Sequence, residues 1–204
     1  MATGGIFASG ERAGADGRNS YALLDYMYTE FHRAHTHGDP VNRALAWEFP
    51  DDPSLAGTYS QFLLGPSLLI TPVLEPNVET VRGVFPGIGQ GVPWYDWYTL
   101  QAVQARPGEN VTLSAPLEHV NVHVRGGSVL PVREPGYTTR ETRGNAFGVV
   151  VAVDEAGEAR GSLYLDDGES LVPEETKMVM VSGLLPFTPY FFFSFFFLLS
   201  VRAA

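Results

Sequence analysis

Two acidic pairs, Asp51-Asp52 and Asp166-Asp167, are the first residues whose type and spacing suggest chemistry. Two carboxylates on opposite sides of a scissile bond can serve as acid and as base or nucleophile, but they must stand several ångströms apart. Neighbours on an extended chain point to opposite faces, so neither pair meets that geometry by itself. Asp51-Asp52 is flanked by Pro50 and Pro53, and Asp166-Asp167 runs into Gly168; both read as turns. His32, His35 and His37 form a second cluster, in which His32 and His35 share a helical face that a metal could use with a third ligand. No carboxylate stands at the spacing of a metal-binding helix motif. Polar and cationic side chains in a last helical turn also interact well with exposed carbonyls, so the helix-end reading is preferred. Neither a metal nor a cofactor is expected.

A third group lies on the segment Glu118–Val124, where Val120, Val122 and Val124 point one way and His119, Asn121, His123 and Arg125 the other. That second face is either solvated or packed against another domain. Trp94, Tyr95, Trp97 and Tyr98 could stack on sugar rings, although such residues more often form the core of a small β-domain. Asn110-Val111-Thr112 is an acceptor sequence for N-glycosylation, meaningful only in the secretory pathway. No Ser/His/Asp arrangement and no phosphate-cradling glycine loop is present.

The elements that must position these residues change character along the chain. Tyr21–His35 reads as a helix whose apolar stripe is Leu24, Met27, Tyr28 and Phe31, with Ser20 as N-cap and Gly38 as terminator. Val41–Phe49, between prolines, reads as a buried strand. From Asp51 onward, short strands are punctuated by Gly and Pro: two within Phe62–Val73, then Val78–Phe85, Trp94–Tyr98, Asn110–Leu113, Glu118–Val124 and Ser128–Val132. A hairpin is expected from Phe147–Val153 and Arg160–Leu165 about a turn at Asp154–Glu158. Regular short strands favour an antiparallel sandwich or barrel.

Composition narrows the partners. A net charge of −10, from 13 basic and 23 acidic residues, argues against nucleic acid. The absence of cysteine excludes disulfides, thiolate metal sites and a cysteine nucleophile. Residues 1–19 are Gly/Ala-rich and carry no apolar secretory core, and they read as flexible. At the other end, Leu184–Val201 is long and apolar enough to be a membrane-span candidate, which Pro186, Pro189 and the Phe runs weaken.

The order of segments carries more than any one of them. YALLDYMYTEFHRAHTHGDPV, EFPDD, QFLLGPSLLITPVLEP, WYDWYT, APLEHVNVHVRGGSVLP and LYLDDGES follow one another as in glycoside hydrolase family 31, which this chain resembles from about Tyr21 to Glu175. The resemblance implies a mainly β fold: an antiparallel β-sandwich-type C-terminal domain preceded by the last helix and strand of an incomplete (β/α)8 barrel. It divides the chain into residues 1–19, a disordered N-terminus; 20–50, the end of the barrel; 51–140, a proximal β-domain; 141–177, the start of a distal one; and 178–204, a hydrophobic tail outside the family pattern. Family members cleave terminal α-linked glucose with retention, using an aspartate nucleophile and an aspartate acid/base on upstream barrel strands. Neither motif occurs here. Asp39, in His37-Gly38-Asp39, matches a turn residue, so no catalytic residue carries over and Asn110 is the one modification candidate.

On this reading the chain is the C-terminal portion of a retaining α-glucosidase-like hydrolase, inactive by itself, with an α-glucoside substrate only in the intact enzyme. A non-catalytic carbohydrate-binding module, with or without a membrane tether at the tail, is the alternative. The Gly/Ala-rich start and the abrupt tail suggest a truncated or mis-joined gene product. Many intact relatives enter the secretory pathway. With barrel neighbours missing, Tyr21–Phe49 is expected to pack poorly, and residues 51 to about 139 to fold alone.

Overall fold

A computed structural model describes residues 20–166 in full, together with the backbone of 177–184 and 192–195. The flexible start expected at 1–19, Asp167, and the rest of the apolar tail lie outside the described residues.

Helix α1 (Leu24–His37) ends as expected at Gly38, which adopts a left-handed φ of 81° and donates its N–H to Ala34 O at 3.0 Å. Its apolar stripe is only partly covered, and the opposite, polar face is the buried one. Asp25, Tyr26, Thr29 and Glu30 are buried, whereas Leu24, Met27 and Tyr28 are half-buried and Phe31 is 53% exposed. Burial of the polar face is tolerated because its groups find partners. Asp25 is ion-paired to Arg133, Tyr26 donates to Leu64 O, Thr29 accepts the Tyr164 N–H at 3.0 Å, and Glu30 meets Arg33 and Arg43.

The buried strand expected at Val41–Phe49 is corrected. Only β1 (Asn42–Arg43) is extended, and Leu45–Glu48 forms the single helical turn α2. Ala, Leu and Glu are good helix formers, and the turn buries Leu45 while leaving Trp47 63% exposed. The turn also brings Glu48 back to Arg43, with which it forms an ion pair.

The remaining elements are a 3-10 turn (Pro53–Gly57), strands β2 (Phe62–Leu64), β3 (Leu68–Thr71), β4 (Thr80–Gly83), β5 (Trp94–Asp96), β6 (Val111–Ser114), β7 (Asn121–Arg125) and β8 (Ser128–Arg133), helix α3 (Thr139–Gly144), and strands β9 (Phe147–Ala152), β10 (Glu158–Leu165), β11 (Lys177–Leu184) and β12 (Phe192–Phe195). They form a sheet ordered β1-β2-β3-β7-β5, a second ordered β11-β10-β8-β9-β12, and the pair β4-β6. The chain is mainly β with antiparallel pairing; β8 beside β10 is the parallel exception. At Phe192–Phe195, inside the membrane-span candidate, the backbone is a strand paired to β9 rather than a helix. No helix among the described residues is long and apolar enough to cross a membrane.

The hairpin expected from β9 and β10 does not form. The local turn is present, with Gly157 donating to Asp154 O at 3.0 Å, but β8 lies between the two strands. Gly161 permits this approach: a Cβ there would fall 2.1 Å from Val129 O.

Alternation along the first sheet divides its side chains between two cores. Leu68, Tyr95, Val122 and Val124 pack with Leu130, Val132, Val150 and Ala152 of the second sheet and with Leu23 at the start of α1 and Tyr26 within it. Leu63, Leu69 and Trp94 face the other way, onto Leu45, Leu55 and Phe85. Leu23 and Tyr26 therefore belong to the central core, while Phe31 and Trp47 of the same segment stay exposed.

Candidate functional site

The acidic pairs do separate, structural work. Asp52 caps the 3-10 turn, its Oδ1 accepting from Ser54 N at 3.0 Å and Ser54 Oγ at 2.6 Å, while Asp51 is exposed. Asp166 accepts a hydrogen bond from Tyr28 and lies 3.9 Å from Arg143, tying the end of β10 to α1. That bond is the main reason why the Tyr28 phenol is pushed up to about 12, with burial adding to it. The histidines at the end of α1 also diverge. His32 stacks on Tyr164, with centroids 3.8 Å apart, and burial pushes its imidazole down; His35 and His37 are exposed. Among the described residues no three His, Cys, Asp or Glu side chains gather as a metal site.

The second face of β7 is packed, not solvated. Asn121 and His123 are buried, and His123 meets the Phe85 ring edge-on at 4.7 Å. Its Nε2 lies 3.9 Å from Asp96 Oδ2, and its Nδ1 is buried with no protein partner. Burial pushes the imidazole down to about 4. His119 stays outside this pocket, against the Tyr98 ring at 4.5 Å.

The aromatics of β5 are core residues, which removes the sugar-platform reading. Trp94, Tyr95 and Trp97 are 0%, 1% and 0% exposed, and Trp94 donates to Pro86 O and Tyr95 to Val153 O. Tyr98 donates to Val120 O at 2.8 Å. Asp96 shapes the turn that follows, its Oδ1 accepting from Tyr98 N at 3.0 Å and Thr99 N at 2.7 Å.

Sequence reasoning missed a chain of ion pairs linking four elements. Glu30 on α1 meets Arg43 on β1 at 3.4 Å, Arg43 meets Glu48 on α2, and Glu48 meets Arg125 on β7 at 3.2 Å. Burial pushes the Glu30 carboxyl up, against the pull of Arg33 and Arg43. The available signal was an Arg and a Glu set inside an otherwise apolar stretch.

Concavities among the described residues include two on different elements. One, of about 610 Å³, is lined by Leu24, Met27, Tyr28 and Phe31 on α1 and by Arg133, Arg140 and Arg143 around α3. Asp25 is its sole acidic lining residue and is already paired with Arg133. The other, of about 290 Å³, includes Tyr59, Arg82 and the exposed Asn110, and no acid lines it. Neither offers the two opposed carboxylates that hydrolysis of a glycosidic bond requires.

Residues 38–130 match the family model described as the glycosyl hydrolase family 31 C-terminal domain. The chain is 58% identical over 159 residues to an α-glucosidase of Aspergillus oryzae, a match that covers 78% of this chain and 16% of that protein. It is 44% identical over 171 residues to the lysosomal α-glucosidase of Rattus norvegicus, covering 74% of this chain and 17% of the relative. Among solved structures, the glucosidase II α subunit superposes with a TM-score of 0.69 at 30% identity, covering 74% of this chain and 16% of that one. The chain thus spans about a sixth of the length of the relatives it matches.

Proposed function

We propose, from the premise that this chain carries the C-terminal domain of glycosyl hydrolase family 31 and is α-glucosidase-like in sequence, that it is the structural C-terminal portion of a retaining α-glucosidase. In that enzyme the bond cleaved is a terminal α-glucosidic one. The acid and nucleophile are supplied by a catalytic part other than the residues of this chain, which by itself does not turn over substrate.

One observation carries this reading: α1 presents Leu24, Met27, Tyr28 and Phe31 to an open groove while its polar face is cemented inward by ion pairs. An amphipathic helix that turns its apolar stripe outward is suited to docking against a further body. We place the boundary of that docking segment near residue 50, a proximal β-domain at 51–140 and the start of a distal one at 141–177. Residues 1–19 and 178–204 stand outside the family pattern.

A chimera tests this. Replacing the matched segment of the Aspergillus oryzae relative with residues 20–177 should restore hydrolysis of an aryl α-glucoside, and Phe31→Asp in that chimera should weaken it several-fold. Turnover by the present chain alone would refute the assignment of the catalytic groups to another part.

A further inference from the structure

The concavity around Tyr59 holds two independent features that belong to one chemistry. Tyr59 is 90% exposed, a large apolar area for a side chain with no packing role of its own. Asn110, the acceptor of Asn110-Val111-Thr112, is exposed and lines the same concavity. Thr112 sits on β6 directly opposite Arg82 on β4, and both are exposed. In an antiparallel pair directly opposed residues share a face, so the Thr112 hydroxyl of the acceptor sequence and the Arg82 guanidinium lie on one side of the β4-β6 ribbon. The rest of the lining is rich in hydroxyls and peptide groups, from Ser54, Thr58 and Ser60.

We propose that Asn110 carries an N-linked glycan whose first sugars lie in this concavity, with the apolar face of a pyranose ring on Tyr59 and its hydroxyls toward Arg82 and the serine and threonine side chains. A covalent link raises the local sugar concentration, so one aromatic ring and a few polar groups suffice where a free saccharide would need more contacts. The proposal extends beyond the assignment as an α-glucosidase portion and does not depend on it.

The full chain, fused to a secretion leader and made in a glycosylating eukaryotic host, provides the test. Intact mass and peptide mapping after N-glycosidase treatment should place one glycan on Asn110, absent from Asn110→Gln. Release of the glycan by endoglycosidase under native conditions should then be slow, and Tyr59→Ala should speed it on the order of threefold to tenfold. Tyr59→Phe should behave as the parent, and Tyr137→Ala, at a residue 84% exposed elsewhere, should have no effect. An unmodified Asn110 overturns the modification; a glycan released at equal rates from parent and Tyr59→Ala overturns the seat. Chemical-shift titration of Asn110→Gln with maltotriose, a saccharide unlike the first sugars of an N-linked glycan, should show no saturable binding. Saturable binding lost in Tyr59→Ala would assign the concavity to a free saccharide and overturn the glycan seat.

Discussion

His123 is the residue at which a side chain's location has the sharpest thermodynamic consequence. Burial, with the Phe85 ring packed edge-on, holds it neutral and His119 adds to this, against the opposing pull of Asp96 at 3.9 Å on β5. The unfolded chain protonates this imidazole near its ordinary value of about 6.5, whereas the folded one resists until about 4. Between those values the unfolded state binds the extra proton, so stability is fully present above about 6.5 and falls as pH drops toward 4. Glu30, pushed up by burial, acts in the opposite sense, favouring the folded state below its ordinary carboxylate range. Denaturant unfolding of His123→Phe against the parent should therefore show a weaker loss of stability between pH 7 and pH 4, by on the order of 1–3 kcal/mol. An unchanged pH profile would mean that His123 is hydrated in solution. Gly65 shows the same tightness: with φ of 59°, a Cβ there would meet Tyr26 Oη at 2.3 Å.

At the scale of elements, the helices were the hardest to anticipate. Helix α3 has an N-cap signature that was readable in retrospect: Thr138 accepts from Glu141 N at 3.1 Å, and Glu141 reaches back to Tyr137 N at 2.9 Å. Its length of six residues falls below what hydrophobic periodicity can register. Arg133 holds α3 in place, pairing with Asp25 on α1, donating to Arg143 O and lying over the Phe147 ring at 3.7 Å. Thr138→Ala should cost about 1 kcal/mol by the loss of its cap, and hydrogen exchange should localise the effect to 138–145. In α1 the apolar stripe is legible in the sequence, but burial of the opposite face is not, because a hydrophobic pattern cannot register that Arg43, Arg133 and Tyr164 supply partners to it.

Over the whole molecule, α1 and the two large sheets share one core, so Tyr26 and Leu23 should resist removal. Limited proteolysis should leave a fragment that begins before Leu24; a stable core beginning near Asp51 would show instead that α1 is only loosely docked. The residues of the sequence determined by themselves the mainly β character, most strand positions after Phe62, the core role of Trp94, Tyr95 and Trp97, and the resemblance to glycosyl hydrolase family 31, because alternation, Gly/Pro punctuation and segment order are properties of neighbours along the chain. Tertiary structure alone decided that β8 enters between β9 and β10, that α1 buries its polar face, and that Tyr59 and Asn110 line one concavity. Each of these joins residues far apart in the chain, and what selects them is the pairing of charges and backbone groups across space, which no local pattern records.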